Sequence, residues 1–185
     1  MESIAGVVKT MGNITDAVGP FKPFVSIVST LVKEMEYVYE TAQYNKRTCG
    51  VLFNRVEAAD VACKALMRQW EDNLHNFHSQ NYYDSFQRFV NCLKQIKTFC
   101  IDISQLIQFK KFVTSEIIQD NFEKLIKEYD TYSHLLNLEI SIATNEQMEK
   151  DLAILQSDLV EMKKVCNILF HCNYSFFLIN KYKFF

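Results

Sequence analysis

Apolar residues return every three or four positions over most of this chain. From Asn45 the series runs Cys49, Leu52, Val56, Ala59, Cys63, Leu66, Trp70, then Asn73 or Leu74, and Phe77. Steps that alternate between three and four average about 3.5 residues, the period of helices packed at shallow angles in a bundle. The pattern predicts one rod of about 33 residues, roughly 50 Å long. Upstream, Phe24, Ile27, Val28, Leu31, Met35, Val38 and Ala42 mark a helix that starts near Pro20 or Pro23. Proline fits the first turn of a helix and not its interior. Before it, Ile4, Val7, Val8, Met11 and Ile14 mark a short helix over residues 2–18, weakened by Gly12 and ended by the Gly19-Pro20 break.

Downstream, Ser79-Gln80-Asn81 reads as a turn, with Asn81 and Asp84 forming a shortened capping box. Phe86, Phe89, Leu93, Ile96, Cys100, Ile103 and Ile107 then mark a helix over residues 82–107. Lys110 and Lys111 suit its C-terminal, negative end. Thr114-Ser115-Glu116 caps a fourth helix striped by Ile118, Phe122, Leu125, Tyr129, Tyr132 and Leu136. Thr144-Asn145-Glu146-Gln147 has the form of a full capping box. It opens a last helix with Met148, Leu152, Leu155, Leu159, Met162 and Cys166 on one side.

The expected fold is therefore all-α: an up-down four-helix bundle with an N-terminal short helix and a C-terminal brace helix. The short helix and break take residues 1–19, the bundle 20–143 and the brace 144–166. Residues 167–185 form an aromatic tail of different composition, read as a continuation of the brace helix that then frays, or else as disordered or foreign to the native protein; its apolar run is too short and interrupted for a comfortable membrane span. Composition strengthens the helical expectation. From Val51 to Phe185 there is neither glycine nor proline, and tight hairpins depend on such residues. A chain of 185 residues, 49% of them apolar, can bury one sizeable core.

The formal charge of −2 is unevenly spread. Residues 44–111 sum to +4 and residues 112–162 to −8. Such a dipole can orient the chain towards an anionic surface, pair its own helices, or simply keep it solvated. A negative total disfavours nucleic acid as a partner. The six cysteines fall largely on apolar positions, and no leader-like segment opens the chain. A reducing, cytoplasmic setting is expected, with peripheral attachment to a membrane as an addition.

No nucleophile–base pair or phosphate loop is apparent, so no catalytic or cofactor-binding residue is assigned and the chain is read as non-enzymatic. Two weak metal patterns occur. Glu71, His75 and His78 would share one helical face, and Asp72 precedes His75 by three, but a di-metal bundle needs a second such motif. Cys166, His171 and Cys172 lack an evident fourth ligand. No metal or other cofactor is expected. Tyr82, Tyr83 and Tyr132 are open to modification, though such rings also pack well at helix starts. The remaining candidate is the cationic trio Lys46, Arg47 and Arg55, beside Gly50, where the chain is expected to bend. The trio suits an acidic partner or a lipid headgroup. It equally suits internal pairing with Glu40, Glu57 or the acidic helices after residue 112.

The same segment, Tyr44-Asn45-Lys46-Arg47-x-Cys49-x-x-Leu52-x-x-Arg55-Val56, resembles the junction between the first two bundle helices in the N-terminal domain of mixed lineage kinase domain-like proteins. Phe24 to Tyr39 matches the amphipathic first helix, and the element order is similar over roughly residues 20–165. Related bundles occur in fungal HeLo-type death domains, plant immune receptors and Cbl-type adaptors. The resemblance implies a signalling adaptor, normally the front module of a kinase-like protein, assembling with a kinase or kinase-like domain in cis or in trans. Its alternative implication is a membrane-permeabilising cell-death bundle that oligomerises and binds an anionic membrane surface. Kinase signatures are missing from this sequence.

Overall fold

The computed structural model describes residues 18–105, 115–138, 140 and 145–181, with side chains in the last stretch as far as Val165. Among the described residues the protein is all-helical. A 3-10 turn at Gly19–Phe21 leads into α1 (Lys22–Thr41), followed by α2 (Lys46–Arg68), α3 (Leu74–Phe77), α4 (Gln80–Ser104), α5 (Ser115–Leu135) and α6 (Asn145–Lys181). The two prolines sit where their chemistry allows: Pro20 in the 3-10 turn and Pro23 in the first turn of α1. The short helix expected over residues 2–18, the Lys110-Lys111 pair and the caps at Thr114 and Thr144 lie almost wholly outside the described residues.

The single rod expected from Asn45 to Phe77 is broken. α2 stops at Arg68, residues 69–73 form turns, and α3 is one short turn of helix. Here Asp72 N–H donates to Gln69 O and Asn73 N–H to Trp70 O, both three residues back and both at 3.2 Å. The Asn73 side-chain amide also donates to Gln69 O at 3.1 Å. Asparagine competes in this way with the helical ladder, and the break lets Phe77 turn in against Phe21, their ring centroids 4.9 Å apart. The Asn81–Asp84 capping box does not form either. α4 begins two residues earlier than expected, and Asp84 instead accepts from Gln80 Nε2 at 2.8 Å inside the helix.

Five long helices share the core. α1 packs on α2 and α4, α4 on α5, and α6 on both α2 and α5, while α2 meets α4 across the interior. α1 and α4 run parallel: Phe24 stacks on Phe86, Glu34 pairs with Lys97, and Tyr44, just past α1, bonds to Ser104. One end of this pair is aromatic, with Phe21 touching Phe24, Phe77, Tyr82, Tyr83 and Phe86 at centroid distances of 4.9 to 6.3 Å. Nearby, Tyr82 hydroxyl donates to Leu136 O at 3.0 Å. α5 ends there at Asn137, whose φ of 50° is left-handed, and Leu138 N–H closes back on Ser133 O. Asparagine at that position terminates a helix as glycine often does.

α6 is a full member of the core. Leu155, Leu159 and Met162 are buried. Its backbone continues as helix to Lys181, through positions that the sequence reading set apart as a tail from residue 167.

Candidate functional site

Lys46 and Arg47 lie where α1, α2, α4 and α6 meet, and Arg55 lies two turns further along α2, between α5 and α6. α1 ends at Thr41, Ala42 is extended, and Asn45 takes a left-handed φ of 51° before α2 begins. Asn45, not Gly50, turns the chain. Gly50 lies inside α2, where a Cβ would stand 3.0 Å from the edge of the Tyr39 ring. Its role is close packing rather than a bend. The turn is tied down by α4: the N–H groups of Gln43 and Tyr44 both donate to Ser104 O at 3.3 Å. The buried Asn45 amide donates to Ile103 O at 2.6 Å and lies 3.1 Å from the sulfur of Met162 on α6. A short polar side chain of this kind tolerates the left-handed region better than most.

The three cations have different environments. Lys46 is exposed, with its ammonium 5.2 Å from the Tyr39 ring centroid and 3.4 Å from Glu40 O. Tyr39 in turn stacks on Phe53, the rings nearly parallel with centroids 5.9 Å apart. Arg47 is half exposed but engaged by α6. Its Nε meets Asp158 Oδ1 at 2.7 Å, and its terminal nitrogen meets Glu161 Oε1 at 2.9 Å and Ser157 Oγ at 3.2 Å. The hydrogen bond that Arg47 donates to Asp158, then the charge of that carboxylate, holds the Arg47 pKa above the ordinary value. Arg55 is nearly enclosed, 11% exposed, between Asp151 at 2.8 Å and Asp130 at 3.6 Å. Its guanidinium lies 5.7 Å from the Tyr129 ring centroid. Its own carbonyl accepts from Tyr129 hydroxyl at 2.8 Å, and burial pushes that phenol's pKa up.

Asp158 does more than neutralise Arg47. Its other oxygen, Oδ2, accepts from Thr48 N–H at 2.9 Å and from Thr48 hydroxyl at 2.8 Å. Thr48 is the third residue of α2, and no side-chain cap comes from Asn45. A carboxylate from α6 therefore caps the positive end of α2. Seven residues earlier on α6, Asp151 pairs with Arg55, eight residues beyond Arg47 on α2, and is itself held by Gln147 at 2.8 Å. α2 and α6 are thus joined by two ionic contacts about two turns apart, with Leu155 and Leu159 of α6 buried alongside.

The other candidate residues are dispersed. Glu71 and Asp72 fall in the interhelical turn, so the helical face expected with His75 and His78 does not exist, and all four are exposed. No group of three or more potential metal-binding side chains occurs among the described residues. Cys166, His171 and Cys172 lie on α6 with side chains outside the described set. Cys49, Cys63, Cys92 and Cys100 are free and buried. Burial pushes Cys63 and Cys92 up to about 12, so these thiols behave as small apolar groups. Tyr82 is buried and bonded, while Tyr83 and Tyr132 are half-buried. None of the described helices is long and apolar enough to cross a membrane.

The sequence reading found the cations but missed Asp151, Asp158, Thr48 and Asn45. A signal existed. Asp151 and Asp158 fall seven residues apart alongside the apolar stripe Leu152, Leu155 and Leu159, where a polar residue implies a buried partner. Comparison with known proteins finds no matching family model, no matching curated protein and no matching solved structure.

Proposed function

We propose that this chain is a non-enzymatic signalling adaptor, working in the cytoplasm through helix-mediated assembly with a protein partner, a kinase or kinase-like domain in cis or in trans. On this reading α1, α2, α4 and α5 act as an up-down four-helix unit, and α6 is a brace whose docking governs access to the basic face of α2. One observation carries the brace role: Asp158 caps α2 while neutralising Arg47. A joint built from charges is disrupted by a competing acid or an added phosphate more readily than an apolar one. The likeness of residues 44–56 to mixed lineage kinase domain-like proteins supports the adaptor class and supplies the kind of partner.

The test is a charge swap. Asp158→Lys should speed amide exchange over residues 46–49 and along α6, and should change the oligomeric state measured by light scattering. Adding Arg47→Glu should restore the protection of α6 and the oligomeric state, but not that of Thr48 N–H, for which a lysine offers no acceptor. An α6 that is released by exchange, in a chain whose assembly with itself and with a kinase-like domain stays unchanged, would reject the brace role. The membrane-permeabilising alternative requires α6 to leave, because Arg47 and Arg55 are occupied while it is docked. It predicts leakage of phosphoinositide-containing vesicles by Asp158→Lys protein, abolished when Lys46, Arg47 and Arg55 become Glu.

A further inference from the structure

The parallel contact of α1 with α4 leaves a groove along the outer surface, which ends at Thr41 and Ser104 beside the turn into α2. Two cavities of about 550 and 400 Å³ adjoin there, sharing Glu34 and Lys97 in their walls. The groove runs from Ser26 to Thr41 along α1, a length of about 22 Å at the helical rise. Its floor is apolar in the larger cavity, with Val38 and Ile101 half-buried there and Tyr37 68% exposed at its side, while the smaller cavity mixes Ile27 and Leu31 with Thr30 and Thr98. Its rims are cationic. Lys33, Lys94 and Lys97 line it against a single acid, Glu34, which Lys97 bridges at 2.7 Å.

We infer that this groove docks an acidic amphipathic helix of a partner protein. A helix of about 15 residues matches the length, presents an apolar stripe to Val38 and Ile101, and carries carboxylates to the lysine rims. The exposed Tyr37 ring, apolar in body and polar at its tip, is the kind of residue that anchors such contacts. The Glu34–Lys97 bridge crosses the groove where the two cavities meet. An incoming carboxylate replaces Glu34 as the partner of Lys97, and the displaced Glu34 carboxylate, 46% exposed, returns to water. The excess of cations over acids rejects a basic helix of the same shape. The inference rests on the adaptor reading and names the chemical class of its partner.

The experiment uses the full chain and two fluorescent synthetic helices of 16 residues. Both carry leucine at every third and fourth position, one flanked by glutamate and the other by lysine. Anisotropy titration should show the acidic helix binding at least tenfold more tightly, with affinity falling as salt is raised. Lys33→Glu with Lys97→Glu should weaken the acidic helix at least tenfold and favour the lysine-flanked one. Lys150→Glu, on the exposed side of α6, should change neither. Equal binding of the two helices, or unchanged affinity in the double variant with an intact circular dichroism spectrum, overturns the proposal. So does adsorption to phosphatidylserine vesicles, or self-association, that the same double variant abolishes. Amide exchange of α6 is followed throughout. Loss of the groove result with normal α6 protection rejects this inference and leaves the brace reading standing.

Discussion

The two ends of α1 are held by opposite chemistry. At its start, Phe21 and Phe24 sit among Phe77, Tyr82, Tyr83 and Phe86. Beyond its finish, the turn into α2 is held by Ser104 O, Ile103 O, Met162 and the carboxylate of Asp158. The aromatic end relies on area removed from water and on ring contacts, which salt hardly touches. The polar end relies on directed hydrogen bonds and charges, and part of it comes from a different helix. The difference separates a region that holds the fold from a region that can report on its surroundings.

Several substitutions break or sharpen this contrast. The largest effect is expected from Phe21→Ala, which empties a site only 1% exposed among five aromatic rings. Loss of such a side chain costs about 4 kcal/mol, read as a lower midpoint in urea unfolding that is insensitive to added salt. Arg55→Met comes next, at roughly 3 kcal/mol, because it leaves the buried Asp151 without its cation; the same unfolding curves measure it. Asp158→Ala should cost about 2 kcal/mol by leaving Thr48 N–H without its acceptor. Unlike the loss of Phe21, it should speed amide exchange in the first turn of α2 before the remainder unfolds. Lys46→Ala should change stability by no more than about 0.5 kcal/mol. A large loss there would mean that Lys46 shares the structural duty of its two neighbours and is not a free surface cation.

The long stripes were legible in the sequence because each buried position recurs at helical spacing. Leu52, Val56 and Cys63 on α2, and Phe86, Leu93 and Cys100 on α4, are all fully buried. Helix ends were less legible, since they are decided by competition between local hydrogen bonds. Asn73 and Gln69 break a stripe that periodicity alone would continue. The cationic trio was visible as charge, but its fates were not. Whether an arginine meets water or a buried aspartate depends on a helix about 100 residues away in sequence. A bend was expected at Gly50, whereas the chain turns at the left-handed Asn45 and Gly50 makes room for Tyr39.

The cap on α2 also bears on how the chain is made. Thr48 and Asp158 are separated by 110 residues. At synthesis rates of about 5–20 residues per second, roughly 5–20 s pass between their appearances. For that interval the start of α2 has neither its acceptor nor a partner for Arg47. Its first turn is therefore the last part of the helix to be fixed, and a newly made chain presents its basic face before α6 exists to cover it.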